Sequence, residues 1–233
     1  MKELIMNMPV MLSLTVGAYL LGLWVKRKSG LALLHPFFIS IPVILAVLKC
    51  ADIPYSFYKE SNFIIDFLLG PSVVSLGYLL YRNREVIRLN ALGIFSSVIV
   101  GSIVGVVSVV LLGWLTGLDE MFILSLEAKS VTTPVAMDIT SSIGGNPTLA
   151  AVSVVACGFM GAVAGPVCIR LFRIKSPVAK GLAMGCSSHG LGTARAVEMG
   201  AIEGAVSGLS IALMGIATAL FVQLFNTYIH IPL

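Results

Sequence analysis

Long apolar runs separated by short polar clusters set the rhythm of this chain. A helix crossing a bilayer needs about 20 mainly apolar residues, and residues 9–25, 31–48, 63–81, 89–115, 149–169 and 204–228 supply such runs. Two further stretches, 121–145 and 177–203, are apolar but interrupted by charges, Gly and Pro. These predict broken or re-entrant helices. Residues 49–62, with Tyr55, Phe57 and Tyr58 among polar neighbours, predict a connection lying at the membrane interface. The expected fold is all-α and polytopic: about six full transmembrane helices plus two interrupted segments. It forms a single domain over residues 1–233, with N-terminal helices in 1–88.

Composition strengthens this reading. Of 233 residues, 58% are hydrophobic and 11% charged, with a mean hydropathy of +1.00, whereas soluble domains carry about 25% charged residues. The net charge of +4 does not point to nucleic acid. The cations cluster at Lys26–Lys28, at Arg82, Arg84 and Arg88, and at Arg170, Arg173, Lys175 and Lys180, each beside an apolar run, as cytoplasmic loops do. The first run carries its charges after it, the reverse of a secretory leader. Placing all three clusters in the cytoplasm requires residues 121–145 to dip into the membrane and return. Cys50, Cys157, Cys168 and Cys186 show no metal or redox spacing and read as small hydrophobes.

A shift of 60 residues exposes a weak internal repeat: Gly101 and Gly105 fall on Gly161 and Gly165, Lys129 on His189, Thr133 on Thr193, and Asp138 on Glu198. Two units, 91–150 and 151–228, each comprise one span and one broken element and would enter from opposite faces, an inverted repeat of the kind found in secondary transporters. The Gly-x-x-x-Gly pairs permit close helix packing.

The chemistry lies in the interrupted stretches. Pro134 suits a first helical turn, Thr132 or Thr133 can cap it, and the free N–H groups with Lys129 nearby make an anion site. If Lys129 lies deep, Glu127 or Asp138 is its candidate partner; the bland alternative has Lys129 snorkelling to the surface. In the second stretch Gly190 breaks the helix, Gly192 relaxes the backbone and Thr193 adds a hydroxyl. Arg195 and Glu198 can pair on one face, and His189 can exchange a proton near neutral pH. Gly70 and Pro71 interrupt residues 63–81 as a kink or a break. Asp66 and His35, near span ends, read as hydrated. No nucleotide, zinc-protease or nucleophile-elbow motif is present. Neither an enzyme, a metal nor a cofactor is expected.

The segment Lys129-Ser130-Val131-Thr132-Thr133-Pro134-Val135-Ala136-Met137 resembles the signature of the LrgB/CidB family, and Ser188-His189-Gly190-Leu191-Gly192-Thr193-Ala194-Arg195 resembles that family's second block. Residues 142–147 and 71–74 also fit. Glu127 and Ala128 stand where Leu-Pro often precedes the lysine, and Asp138 where related sequences can be uncharged. The resemblance implies a multi-pass bacterial inner-membrane protein, surrounded by lipid, with one of two roles. One is antiholin-like control of murein hydrolase export and lysis with a small LrgA/CidA-type partner. The other is transport of a small organic anion such as pyruvate, glycolate or glycerate, since the plastid glycolate/glycerate translocator has a similar domain. It makes Lys129, Ser130, Thr132, Thr133, Ser188, His189, Gly192, Thr193 and Arg195 the expected binding residues, with Asp138, His189 and Glu198 for ion coupling. A homodimer is expected from the small-residue spans.

Overall fold

The computed structural model describes residues 7–29 and 36–228; His35, the start of the 31–48 run and the side chain of Asp66 lie outside the described residues. Within them the chain forms eleven helices and no strand. These are α1 (Met8–Ser29), α2 (Pro36–Cys50), α3 (Tyr55–Ser61), α4 (Phe63–Arg82), α5 (Arg84–Leu89) and α6 (Ala91–Thr116). They continue as α7 (Glu120–Leu126), α8 (Thr133–Ser142), α9 (Pro147–Leu171), α10 (Pro177–Met199) and α11 (Ala201–Tyr228). Helices α1, α6, α9 and α11 are long and apolar enough to cross a membrane. The chain divides into two compact units, Met1–Ser75 and Leu76–Leu233.

In the first unit α1 and α2 approach closely because Gly22 has no side chain where the Pro36 backbone lies. Ser40 Oγ donates to the carbonyls of Ala18 (3.2 Å) and Pro36 (2.6 Å). The 49–62 connection holds α3, whose Tyr58 meets Thr15 of α1 at 2.8 Å. Gly70 and Pro71 do not break α4, which runs through both. A proline inside a helix forfeits one backbone bond, and the bonds on either side carry the helix past it.

The second unit is organised by two four-residue stripes. The buried residues of α6 include the row Ile94, Val98, Ser102, Val106 and Val110, and those of α11 the row Val206, Ser210, Met214, Thr218 and Val222. Rows spaced by four are ridges that interdigitate between helices. The two stripes face one another, with Ser102 and Thr218 hydroxyls 3.2 Å apart. The opposite face of α6 exposes Leu92, Phe95, Ile99, Val104 and Leu111. Such a surface suits lipid and not water.

Both interrupted stretches are hairpins. After α6 ends, α7 runs back along it, placing Ile123 against Gly113 and Lys129 against Gly105. Helix α8 then returns, so that the Asn146 N–H donates to Ser125 Oγ at 2.8 Å and closes the base. Helix α10 likewise runs back along α9: Met184 lies at Gly165, Ser188 at Gly161 and His189 at Gly158. It reverses at His189, whose φ of 38° and ψ of −125° are not helical. Its second arm returns to bring Gly192 onto the Met184 carbonyl and Ala196 into one apolar cluster with Ile169 and Met184. The reversal sits on His189 itself, one residue before Gly190, which was expected to make it. Since α9 starts at the base of the first hairpin and ends at the base of the second, the hairpins enter from opposite ends of the unit.

This topology predicts the sidedness of labelling in sealed vesicles. Cysteines introduced singly at the exposed positions Leu118 and Ser141, which flank the first hairpin, should react with an impermeant maleimide from one side. Arg173→Cys should react from the other. Labelling of the first two from opposite sides would mean that residues 121–145 cross the membrane.

Candidate functional site

Gly105 lies near the middle of α6, roughly 16 Å from its end at about 1.5 Å per residue. There Lys129 Nζ donates to the Gly105 carbonyl at 3.1 Å, and Ser130 Oγ lies in contact range of the same glycine. Six residues, Glu127 to Thr132, separate the arms without helical structure. Thr132 occupies the N-cap of α8 in extended conformation, but its side chain makes no capping bond, and Pro134 sits in the first turn. The N–H groups of that turn therefore face the tip without a side-chain cap, the arrangement that attracts anions.

The second tip is built alike. His189 is buried, and its Nε2 lies 3.0 Å from the Val154 carbonyl of α9. A carbonyl only accepts, so Nε2 carries the hydrogen, and in the neutral ring Nδ1 keeps a lone pair. Ser188 and Ser187 hydroxyls are 2.8 Å apart.

Both tips meet at Cys157 of α9. Its Sγ donates to the Ser187 carbonyl of the second hairpin at 3.3 Å, and Ser130 and Lys129 of the first hairpin lie near it. Cys157 was expected to be inert filler. The small residues Gly158 and Gly161 beside it were the available signal, since a helix face so bare can receive a hairpin tip.

Other expected residues lie elsewhere. Thr193 Oγ1 is 2.7 Å from Ser207 Oγ of α11 and fastens the return arm there. Arg195 is ion-paired with Glu198 and lines a cavity with Arg170, Arg173, Lys175 and Lys180, well down the arm from the tip. Asp138 is exposed. Glu127 is buried but accepts from Asn226 Nδ2 at 2.7 Å. The carbonyl of Gly105, and not Glu127 or Asp138, is thus the hydrogen-bond acceptor for Lys129.

Apolar helices with lipid-suited outer faces and two opposed hairpins that meet within the second unit define an α-helical membrane protein. The LrgB-like family matches residues 15–227, and the chain belongs to that family. The uncharacterized protein YxaC of Bacillus subtilis (strain 168) is 34% identical over 95% of this chain and 96% of its own length. Antiholin-like protein LrgB of Bacillus mycoides (strain KBAB4) is 30% identical over 91% of this chain and 93% of its own. No solved structure matches the chain.

The docking of the second tip makes a packing prediction. A Cβ on Gly158 would lie 2.5 Å from His189 Cε1, and the ring is held by Val154. Gly158→Ala should destabilise by about 1–3 kcal/mol through overpacking, read as a lower unfolding midpoint in detergent. Gly190→Ala, where a Cβ meets nothing within 4 Å, should leave the midpoint unchanged or slightly raised. Equal effects at both positions would refute the docking.

Proposed function

We propose that this protein is a secondary transporter of small monocarboxylates, of the pyruvate, glycolate or glycerate type, in the bacterial inner membrane. The observation that carries the proposal is the meeting of two opposed hairpin tips at Cys157, with Lys129 beside them. A charge at mid-bilayer costs about 2.5–3.5 kcal/mol on insertion scales, and such residues commonly mark substrate paths. A carboxylate would take the ammonium of Lys129 from the Gly105 carbonyl and accept N–H bonds from the first turn of α8. Ser130 and Ser187 or Ser188 would hold the neighbouring oxygen of a 2-oxo or 2-hydroxy acid. His189 Nδ1 is the group suited to take a coupled proton; Asp138, exposed, and Glu198, paired with Arg195, stand outside this scheme. Each unit, 91–150 and 151–228, pairs a span with a hairpin, and the two would act as an inverted repeat. Loosening one hairpin or the other from its glycine-lined helix would expose the junction alternately to the two sides.

The test is counterflow of labelled pyruvate, glycolate and glycerate into proteoliposomes holding the purified chain. Saturable exchange of at least one acid is expected. Lys129→Ala should lower it about tenfold or more, the scale of a lost hydrogen bond to a charged group. Bound substrate should also slow maleimide modification of Cys157, followed by peptide mass spectrometry. Undiminished exchange in the combined Lys129→Ala and Thr133→Ala variant would defeat the assignment.

Several relatives are named antiholin-like protein LrgB, which favours a second reading. On that reading the chain restrains murein hydrolase export and lysis together with an LrgA/CidA-type small membrane protein, or as a homodimer. It predicts no saturable exchange by the chain alone and a lysis phenotype that depends on the partner.

A further inference from the structure

A basic cavity of about 430 Å³ lies at the end of α9, lined by Arg170, Arg173, Lys175, Lys180 and Arg195. Its walls include the apolar Ile169 and Ile174. Between Asp138 and Glu198 the chain has no acidic residue, and Glu198 is itself paired with Arg195. The cavity is therefore strongly positive. Its turn is made by Arg173 at a φ of 53°, a left-handed conformation that costs a side-chain-bearing residue roughly 1–2 kcal/mol and that glycine adopts freely. An arginine stands there despite that cost.

Ile169 and Ile174 also line a second cleft, of about 500 Å³, which makes the two adjacent. This cleft runs between α9 and α10 past Cys168, Ala164 and Met160 towards Cys157. Apart from the two serines at its far end, Ser187 and Ser188, its lining is apolar or sulfur-bearing. Met160 and Phe172 on its rim are 61% and 73% exposed, so it opens sideways. From Ile169 to Cys157 the groove extends roughly 18 Å along the helix, close to half of an approximately 30 Å hydrocarbon core.

We propose that this face binds an anionic phospholipid, its phosphate among Arg170, Arg173, Lys175 and Lys180 and one acyl chain in the α9–α10 groove. Cations at a helix end with an apolar groove leading from them to mid-membrane match a headgroup and its tail at their natural depths. A basic pocket between spans on the cytoplasmic side is suited to such lipids. A free inorganic anion would fill the cavity and leave the groove unused. The groove ends beside the junction, at Cys157, Ser187 and Ser188, but the inference does not rest on the transport reading, because lipid retention is measured without any transported acid.

The experiment is native mass spectrometry of the purified full chain after exchange into micelles doped with phosphatidylglycerol or phosphatidylcholine, with inorganic phosphate as a third arm. Retention of phosphatidylglycerol in clear excess over phosphatidylcholine is expected, together with a raised unfolding midpoint that phosphate does not reproduce. Neutralising Arg170, Arg173 and Lys175 to Gln should weaken retention roughly fivefold per charge. Should that variant fail to fold, Ala164→Phe fills the groove with every cation in place and should also reduce retention. Equal retention of the two lipids, stabilisation by phosphate alone to the same extent, or full retention in folded Ala164→Phe would each overturn the proposal.

Discussion

A helix that stops halfway across a bilayer leaves backbone groups bare where no water can satisfy them, and everything else in the second unit answers that constraint. Irregular backbone at membrane depth survives only where it is buried in protein or lines a cavity. Both hairpins meet the requirement by the same device, a side-chain nitrogen at the tip placed on a carbonyl of the neighbouring full-length helix. Lys129 does this to Gly105 and His189 to Val154. At Gly158 the approach is possible because that residue carries no side chain, whereas a Cβ at Gly105 would make only ordinary contact with Ser130.

Helix α9 is the element on which both solutions converge. One face of it carries Val154, Cys157, Gly158, Gly161 and Gly165. That face seats the whole inbound arm of the second hairpin and, through Cys157, the tip of the first. The α6–α11 stripes hold the frame around it, and their hydroxyl pairs (Ser102 with Thr218) are side-chain bonds of the sort that join helices in lipid. The long helices cross through these stripes, and the tips are held between them by a few polar contacts, Lys129 and Glu127 in the first and His189 and Ser187 in the second.

The hairpins were legible in the sequence because lipid enforces crude rules. Charge asymmetry among Lys26, Arg82 and Arg170 favours a topology in which residues 121–145 dip in and return, and the bond from Asn146 to Ser125 agrees. The glycine pairs Gly101/Gly105 and Gly161/Gly165 announced close packing, although most of what packs on them belongs to the hairpins. Partner choice was not legible. Glu127 lies two residues from Lys129, yet it bonds Asn226, which is distant in sequence and becomes a neighbour only when α11 folds alongside. Cys157 was missed for the same reason: its hydrogen-bond partner, the Ser187 carbonyl, is thirty residues away in sequence and is brought to it by the second hairpin. Pro71 illustrates the converse, since a residue that disrupts helices in general does not interrupt one whose other backbone bonds are intact.

The block from Ser188 to Arg195 shows how a contiguous motif divides once the chain reverses. Because the arm after His189 is helical, each residue descends about 1.5 Å from the tip, and Arg195 lies roughly 9 Å lower than His189. Ser188 and His189 face α9 at mid-membrane, Thr193 grips α11 below them, and Arg195 reaches the cationic cavity at the helix end. A single binding role for the whole block would require all of these to share one depth, which the hairpin forbids. The depth order instead divides the block between the junction at the tip, where His189 meets Val154, and the cationic cavity at the end of α9, which Arg195 lines.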